Sequence, residues 1–199
     1  DWVSEGYGEK YTRQQRERKL DPKKHDPEGL IVRAHDMTAS EFTQALKAAV
    51  DNMIDRTNAR LVLQAAMQNH SKIGDDKVFD RIITVAEPYI DASFAEEAER
   101  LVRLQEGLTH AANEPMVRAA AIRILGITGQ KEYRPLIEKA LREKEEDIVR
   151  QALLALGKLR DDAAIPAVER YLQTGGDQKL LATAVLKRLG KKDVLATGL

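Results

Sequence analysis

A pattern that repeats about every 31 residues places the strongest constraint on how this chain folds. Residues 121–126 read AIRILG and residues 152–157 read ALLALG, so their glycines lie 31 positions apart. Pro135 and Pro166 keep the same offset, and a third copy, AVLKRLG, occupies residues 184–190. Self-similarity at a fixed period of about 20–50 residues is typical of arrays in which each unit buries its apolar face against its neighbours. The sequence therefore predicts a stacked array of short repeats.

Each predicted unit consists of an apolar helix, a glycine, a short turn and a second helix that starts with proline. Glycine is favoured just after a helix because it adopts the left-handed conformation without a Cβ penalty. This predicts helix C-caps at Gly126, Gly157 and Gly190. Proline suits the first turn of a helix, where its missing N–H would be unpaired in any case. Asp147 and Asp177 precede apolar runs and are predicted to cap the helices there.

The helical pattern extends back into the N-terminal half of the chain. Thr38-Ala39-Ser40-Glu41 and Ser93-Phe94-Ala95-Glu96 both match the capping box, and apolar residues at helical spacing follow each of them. Aromatic residues make up only 5% of the chain, too few for a typical β-sandwich. We expect an all-α fold in which residues 30–113 are degenerate repeats or a separate helical cap, and residues 114–199 are the repeats proper.

Residues 1–29 differ from the rest of the chain. They hold three of its nine aromatic residues, several glycines and prolines, and no sustained apolar period. A segment of this composition cannot bury enough of itself to order alone. We therefore expect an extended N-terminal arm that docks on a partner or covers part of its own domain. Aromatic and arginine side chains are enriched at binding hot spots, and the arm's candidate partner-binding residues are Trp2, Tyr7, Tyr11, Arg13, Arg16 and Arg18.

Two twelve-residue segments carry a resemblance to a known family. Residues 115–126, PMVRAAAIRILG, and residues 148–159, IVRQALLALGKL, resemble the short HEAT-like repeats first grouped with phycobiliprotein lyases. The resemblance covers about residues 114–192 and implies an α-solenoid of antiparallel helix pairs. Most members of that family are scaffolds and protein-binding surfaces. A minority attach chromophores or, in more distant HEAT-like proteins, excise alkylated DNA bases.

The same resemblance implies a second contact surface. By analogy with the family, the second helix of each repeat would line the inner surface of the solenoid, which we call the solenoid groove. Its candidate partner-binding residues are Arg134, Glu138, Arg142 and Arg170. Mixed charge of this kind favours a protein partner, because a phosphate backbone would require a row of one sign.

Little in the sequence points to catalysis or to a cofactor. The chain has no cysteine, which excludes thiolate nucleophiles, disulfides and cysteine-ligated metals. Its four histidines lie at positions 25, 35, 70 and 110, so no two share one face of a helix at i, i+4 spacing. Gly6-Tyr7-Gly8 is only a fragment of a phosphate-binding loop. We expect no catalytic residues, no metal site, no cofactor and no enzymatic activity.

Charge is distributed unevenly along a chain whose net charge is zero. Residues 26–114 contain nine basic and sixteen acidic residues, whereas residues 115–199 contain sixteen basic and eleven acidic ones. Overall neutrality makes nucleic acid an unexpected partner. No apolar run is long enough to span a bilayer, so we expect a soluble or peripheral protein, with the cytoplasm slightly favoured over export and peripheral membrane contact still open.

These observations lead to one principal hypothesis and two alternatives. The principal one is a non-catalytic scaffold or accessory subunit that contacts protein subunits of a larger assembly through its arm and its solenoid groove. The first alternative is a HEAT-like enzyme, either a chromophore lyase or a DNA glycosylase. The second is a nucleic-acid or membrane-surface binder that uses the basic residues of the arm, and its binding would weaken steeply as salt rises.

Overall fold

The computed structural model describes residues 27–74, 76–103 and 115–191, and these residues form ten α-helices joined by turns and 3₁₀ segments, with no strand among them. The predicted all-α fold is confirmed. Contacts divide the chain into two compact units, Asp1–Asp75 and Asp76–Leu199. The predicted arm lies outside the described residues, except for its last three positions.

The described residues of the first unit form three helices. They are α1 (Pro27–Arg33), α2 (Ala39–Asp51) and α3 (Arg56–Gln68). Both α1 and α2 pack on α3, and α1 also contacts α2. Their apolar faces meet in a core whose larger buried side chains include Leu30, Phe42, Leu46, Val62 and Leu63.

The predicted capping box at the start of α2 is confirmed. The backbone N–H of Glu41 donates to the Thr38 hydroxyl (3.2 Å), and the backbone N–H of Thr38 donates to the Glu41 carboxylate (2.9 Å). The Thr38 hydroxyl also donates to that carboxylate (2.8 Å). The pKa of Glu41 is lowered mainly by the bond from the Thr38 backbone and secondly by the bond from the Thr38 hydroxyl. Both bonds favour the charged form of the carboxylate.

The side chain of Lys72 caps the C-terminal end of α1. The Lys72 ammonium donates to the carbonyl oxygens of Ala34 and His35 (3.1 Å) in the 3₁₀ turn after α1, and to that of Met37 (2.7 Å), the C-cap of this turn. The last carbonyls of a helix lack intrahelical partners and carry partial negative charge, so a cation is favourable there. Lys72 follows α3 along the chain and therefore ties that end of α3 to the end of α1.

The second unit contains seven described helices. In chain order they are α4 (Asp76–Ala86), α5 (Ala95–Arg103), α6 (Pro115–Thr128), α7 (Arg134–Ala140), α8 (Glu146–Leu159), α9 (Ile165–Gln173) and α10 (Lys179–Arg188). Helix α8 packs between α6 and α10, so the first helices of the repeats form a row. The second helices pack against the next first helix: α5 on α6, α7 on α8 and α9 on α10.

The predicted capping box at Ser93 is wrong. A 3₁₀ turn, Ala92–Phe94, precedes α5, and the helix itself begins only at Ala95. The carboxylate of Asp91 caps this turn by accepting from the Ser93 backbone N–H (2.9 Å). The Ser93 hydroxyl donates to the same carboxylate (2.5 Å). The cap therefore lies two residues upstream of the predicted one.

The helix starts within the repeats are partly as predicted. Pro135 and Pro166 lie in the first turns of α7 and α9, which confirms the role expected for them. The two predicted aspartate caps are wrong. Helix α8 starts one residue before Asp147, so this side chain lies inside the first turn and accepts from Arg150. Asp177 is followed by Gln178, the N-cap of α10, which makes no side-chain cap bond.

The glycines of the repeat do not all end their helices. Gly190 follows α10 with φ of 96°, as predicted. Gly126 and Gly157 lie inside α6 and α8, so their prediction as C-caps is wrong. The left-handed positions after these helices are taken instead by Gly129 (φ 71°) and by Arg160 (φ 49°).

Close packing of α6 on α8 explains why position 126 holds a glycine. A Cβ built on Gly126 would lie 2.5 Å from the Cα of Ala155 in α8, far inside van der Waals contact. Gly157, its counterpart one repeat later, differs. A Cβ there would meet Val185 of α10 at 3.5 Å, an ordinary contact. The two glycines occupy the same place in the repeat, but only the first is required by the approach of two backbones.

Candidate functional site

A groove in the second unit lies between α4, the first half of α6 and the start of α8. Its volume is about 450 Å³, within the range of about 300–1,000 Å³ typical of ligand sites. We call it the α4–α6–α8 groove. Its apolar lining residues are Phe79, Ile83, Pro115, Met116, Ala119 and Ala120, and its polar ones are Asp80, Arg123, Glu145, Glu146, Asp147, Arg150 and Gln151.

Arg123 of α6 forms one wall of the groove. Its guanidinium donates to the carboxylate of Asp80 (3.1 Å) and to the carbonyl oxygen of the same residue (3.2 Å). It also donates to the hydroxyl of Thr84 (2.8 Å), one turn further along α4. The Arg123 side chain is only 17% exposed, so these contacts fix α4 against α6 on this wall.

Asp80 also faces a second guanidinium. Arg150 of α8 lies 3.8 Å from the Asp80 carboxylate and donates to Asp147 on its own helix (3.0 Å). Arg123, Asp80, Arg150 and Asp147 therefore form a row of alternating charge along the groove. Both arginines have carboxylate partners within this row, so neither offers an unmatched positive charge to a ligand.

Gln151 is the one buried polar side chain among the residues that the structure describes, at 4% exposure. Its amide nitrogen lies 3.5 Å from the Asp80 carboxylate, at the limit of a hydrogen bond. Its amide oxygen is fully buried and has no donor in the described part of the chain. A buried polar atom without a partner destabilises a fold by about 1–3 kcal/mol.

The α4–α6–α8 groove was not predicted from the sequence, although the repeat contains a signal for one of its residues. The residues equivalent to Gln151 in the neighbouring copies are Ala120, 31 positions earlier, and Ala184, 33 positions later. A glutamine thus replaces a small apolar residue in one copy only. The groove itself could not be found in this way because α4, α6 and α8 are far apart in the sequence.

The rim of the groove is acidic at the start of α8. Glu145 is the N-cap residue of that helix, but its side chain makes no cap bond, and no described cation pairs with it. The next residue, Glu146, accepts from the side-chain amide of Gln178 (2.5 Å). With Asp80 and Asp147 included, four carboxylates and two guanidiniums line the groove.

Comparison with known families identifies the repeat. Residues 101–187 match the family model of HEAT repeats. Over these residues the chain is similar to HEAT repeats. The match confirms the predicted resemblance and, together with the stacked helices, the predicted α-solenoid. No curated protein matches the chain. The HEAT repeats supply α6 and α8 to the groove, whereas α4 precedes the matched segment.

The structure brings together two of the predicted residues of the solenoid groove. In the HEAT repeats, the Arg134 guanidinium donates to Glu138 on the same helix (2.7 Å) and lies 2.9 Å from the Asp161 carboxylate. The bond to Glu138 is the main cause that raises the pKa of Arg134. Both side chains are half-buried, and Asp161 also caps the turn before α9. This cluster has a structural role, because it joins α7 to the turn before α9.

The other predicted residues are placed differently. Arg142 and Arg170 are exposed, and neither forms a salt bridge with the residues that the structure describes. Their assignment to partner binding stays a prediction. The six predicted residues of the arm, at positions 2, 7, 11, 13, 16 and 18, lie outside the described residues. Their role in partner binding also stays a prediction.

Tyr133 lies beside the Arg134 cluster. Its pKa is raised, first by burial and then by the negative charge of Glu99 on α5. The effect of this charge places Tyr133, in the turn before α7, close to α5.

Over residues 27–74, 76–103 and 115–191, no group of three or more histidine, aspartate or glutamate side chains is arranged to hold a metal ion. In the same ranges, no helix has the length and apolar character needed to cross a membrane.

Proposed function

We propose that this chain is a non-catalytic scaffold or accessory subunit that holds protein subunits of a larger assembly. The observation that carries the proposal is the HEAT-repeat segment, because HEAT repeats generally mediate protein–protein interaction. The family is also typically non-catalytic. We assign partner contacts to the N-terminal arm and to the solenoid groove.

Two features of the described residues support a role in protein binding. Stacked repeats present an extended surface of side chains, which suits a long contact with another protein. Arg142 and Arg170 are exposed on this surface and have no carboxylate partner among the described residues. Arginine is enriched at interfaces, where its fork of donors pairs with carboxylates.

Affinity purification from the native organism tests the proposal. The full chain is compared with a chain that lacks residues 1–26, a deletion that leaves α1 whole, and with an Arg142→Glu, Arg170→Glu double variant. Lys187→Glu, an exposed substitution on α10, serves as the matched control. Circular dichroism must first show equal helicity for all four proteins.

A stoichiometric partner that is lost from the deletion or from the double variant, and kept by the control, supports the proposal. A partner that stays on every variant contradicts the assignment of the arm and of the solenoid groove. The absence of any stoichiometric partner contradicts the scaffold role itself, and pigment attachment and DNA base excision then become the activities to assay.

A further inference from the structure

We propose that the α4–α6–α8 groove binds a segment of a partner protein in which a bulky apolar residue lies next to an arginine or a lysine. This inference rests on the proposed function, and it names the chemistry of the partner at a site different from the arm and the solenoid groove. Three features of the groove carry it: the space between its apolar walls, the excess of negative charge and the buried amide oxygen of Gln151.

The apolar part of the groove has room for a side chain of the partner. Phe79 and Ile83 of α4 face α6, where positions 119 and 120 both hold alanine. These four side chains are buried and form the apolar floor of the groove. A volume of about 450 Å³ accommodates a bulky apolar side chain together with the adjoining backbone.

The charges of the groove determine which kind of residue we expect beside the apolar residue in the partner segment. Four carboxylates face two guanidiniums, and both guanidiniums already have carboxylate partners in the groove. The excess is therefore negative and is greatest at the start of α8, where Glu145 makes no cap bond. A cationic side chain of the partner complements this rim, whereas an acidic one is repelled.

The Gln151 oxygen provides the third feature. It is buried beside the groove and accepts no hydrogen bond from the described residues. The repeats before and after place alanine at the same position, so the fold has no need of an amide there. Because Gln151 lines the groove, a rotation of its side chain would bring this oxygen to a backbone N–H of an extended partner segment. We therefore assign Gln151 to orienting the backbone of the bound segment.

The proposal is tested by selection from a phage-displayed library of random twelve-residue peptides on the full chain. The most enriched sequence is then synthesised with a fluorescent label, and its affinity is measured by fluorescence polarisation. We expect the enriched peptides to share a bulky apolar residue beside arginine or lysine. We also expect binding to weaken as salt rises, because the rim contributes through charge.

Two variants and one control locate the bound peptide. Glu145→Lys reverses the rim charge and is expected to weaken binding about three- to tenfold. Gln151→Leu removes the buried amide and is expected to weaken binding by a similar factor while the fold remains at least as stable. Asp162→Lys makes the same charge change as Glu145→Lys on an exposed turn away from the groove, and it should leave the affinity unchanged.

Four outcomes would overturn the proposal. The first is a library that yields no enriched sequence, and the second is a set of enriched peptides without the apolar–basic pair. The third is binding that Glu145→Lys and Gln151→Leu leave unchanged. The fourth is equal or tighter binding, sensitive to the same variants, by a peptide that spans residues 1–26, because the occupant would then be this chain and not a partner.

The result is separable from the test of the proposed function. If affinity purification yields a stoichiometric partner and the peptide experiment fails, the scaffold role stands and only the α4–α6–α8 groove loses its assignment. If the groove binds its peptide and no stoichiometric partner is found, the groove inference stands as a transient contact. Failure of both experiments overturns both proposals.

Discussion

Gly126 of α6 lies directly against Ala155 of α8, and a Cβ on Gly126 would be 2.5 Å from the Cα of Ala155. Two helices approach this closely only where one of them lacks a side chain. Among the described helices of the second unit, α6 and α8 form the most extensive pair, so this contact fixes how one repeat stacks on the next.

The first prediction compares equivalent glycines of two successive repeats. Gly126→Ala forces α6 away from α8 and is expected to destabilise the protein by about 1–3 kcal/mol. Gly157→Ala meets Val185 at an ordinary contact distance of 3.5 Å and improves helix propensity, so it should be neutral or stabilising by up to about 1 kcal/mol. Urea unfolding followed by circular dichroism measures both changes. Equal effects of the two substitutions would contradict the packing argument.

These glycines also show how far sequence reasoning reached. The period of 31 residues and the prolines that open the second helices were predicted because they depend on local rules and on self-similarity. The role of Gly126 could not be predicted in this way, because glycine is favoured both at helix C-caps and at close contacts between helices. The sequence does not reveal the distance to Ala155 that decides between these roles.

The α4–α6–α8 groove could not be predicted from the sequence for a related reason. Asp80 contacts Arg123 and Gln151, which are 43 and 71 positions away in the sequence. Neither a period nor a local motif predicts contacts across such separations. The capping box at Thr38, in contrast, joins residues only three positions apart and follows from the sequence alone.

The second prediction concerns the stability of the groove. Gln151→Leu removes a buried oxygen that has no donor in the described residues. The substitution also removes the weak bond from the Gln151 amide nitrogen to Asp80. Asp80 keeps its contacts with Arg123 and Arg150. We expect the free energy of unfolding to rise by about 1 kcal/mol. Gln173→Leu, on the exposed end of α9, is the control and should change stability little. A loss of stability in Gln151→Leu would mean that the amide is structural.

The third prediction concerns the lysine that closes α1. Lys72→Met leaves the carbonyls of Ala34, His35 and Met37 without their shared donor. Because hydrogen bonds to a charged group are strong, we expect a loss of about 1.5–3 kcal/mol. Lys47→Met on α2 removes an exposed lysine and is the matched control. The midpoint of urea unfolding should fall for Lys72→Met only, and equal shifts in both variants would contradict this role.

The fourth prediction concerns the dependence of stability on pH at the start of α2. The Thr38 bonds hold the pKa of Glu41 below its ordinary value of 4.5. A carboxylate whose pKa is lowered in the folded state stabilises the fold above its unfolded pKa, and this contribution is lost as pH falls through the folded value. Glu41→Ala should therefore be less stable than the parent at pH 7, and the difference should shrink as the pH falls below 4.5.

The matched control for this prediction is Gln44→Ala, an exposed and uncharged substitution on the same helix. Its effect on stability should not change with pH, since glutamine does not titrate. Thermal unfolding of the parent and the two variants between pH 3 and pH 7 makes the comparison. A difference between the parent and Glu41→Ala that stays constant over this range would show that the Glu41 carboxylate does not stabilise the helix through its charge.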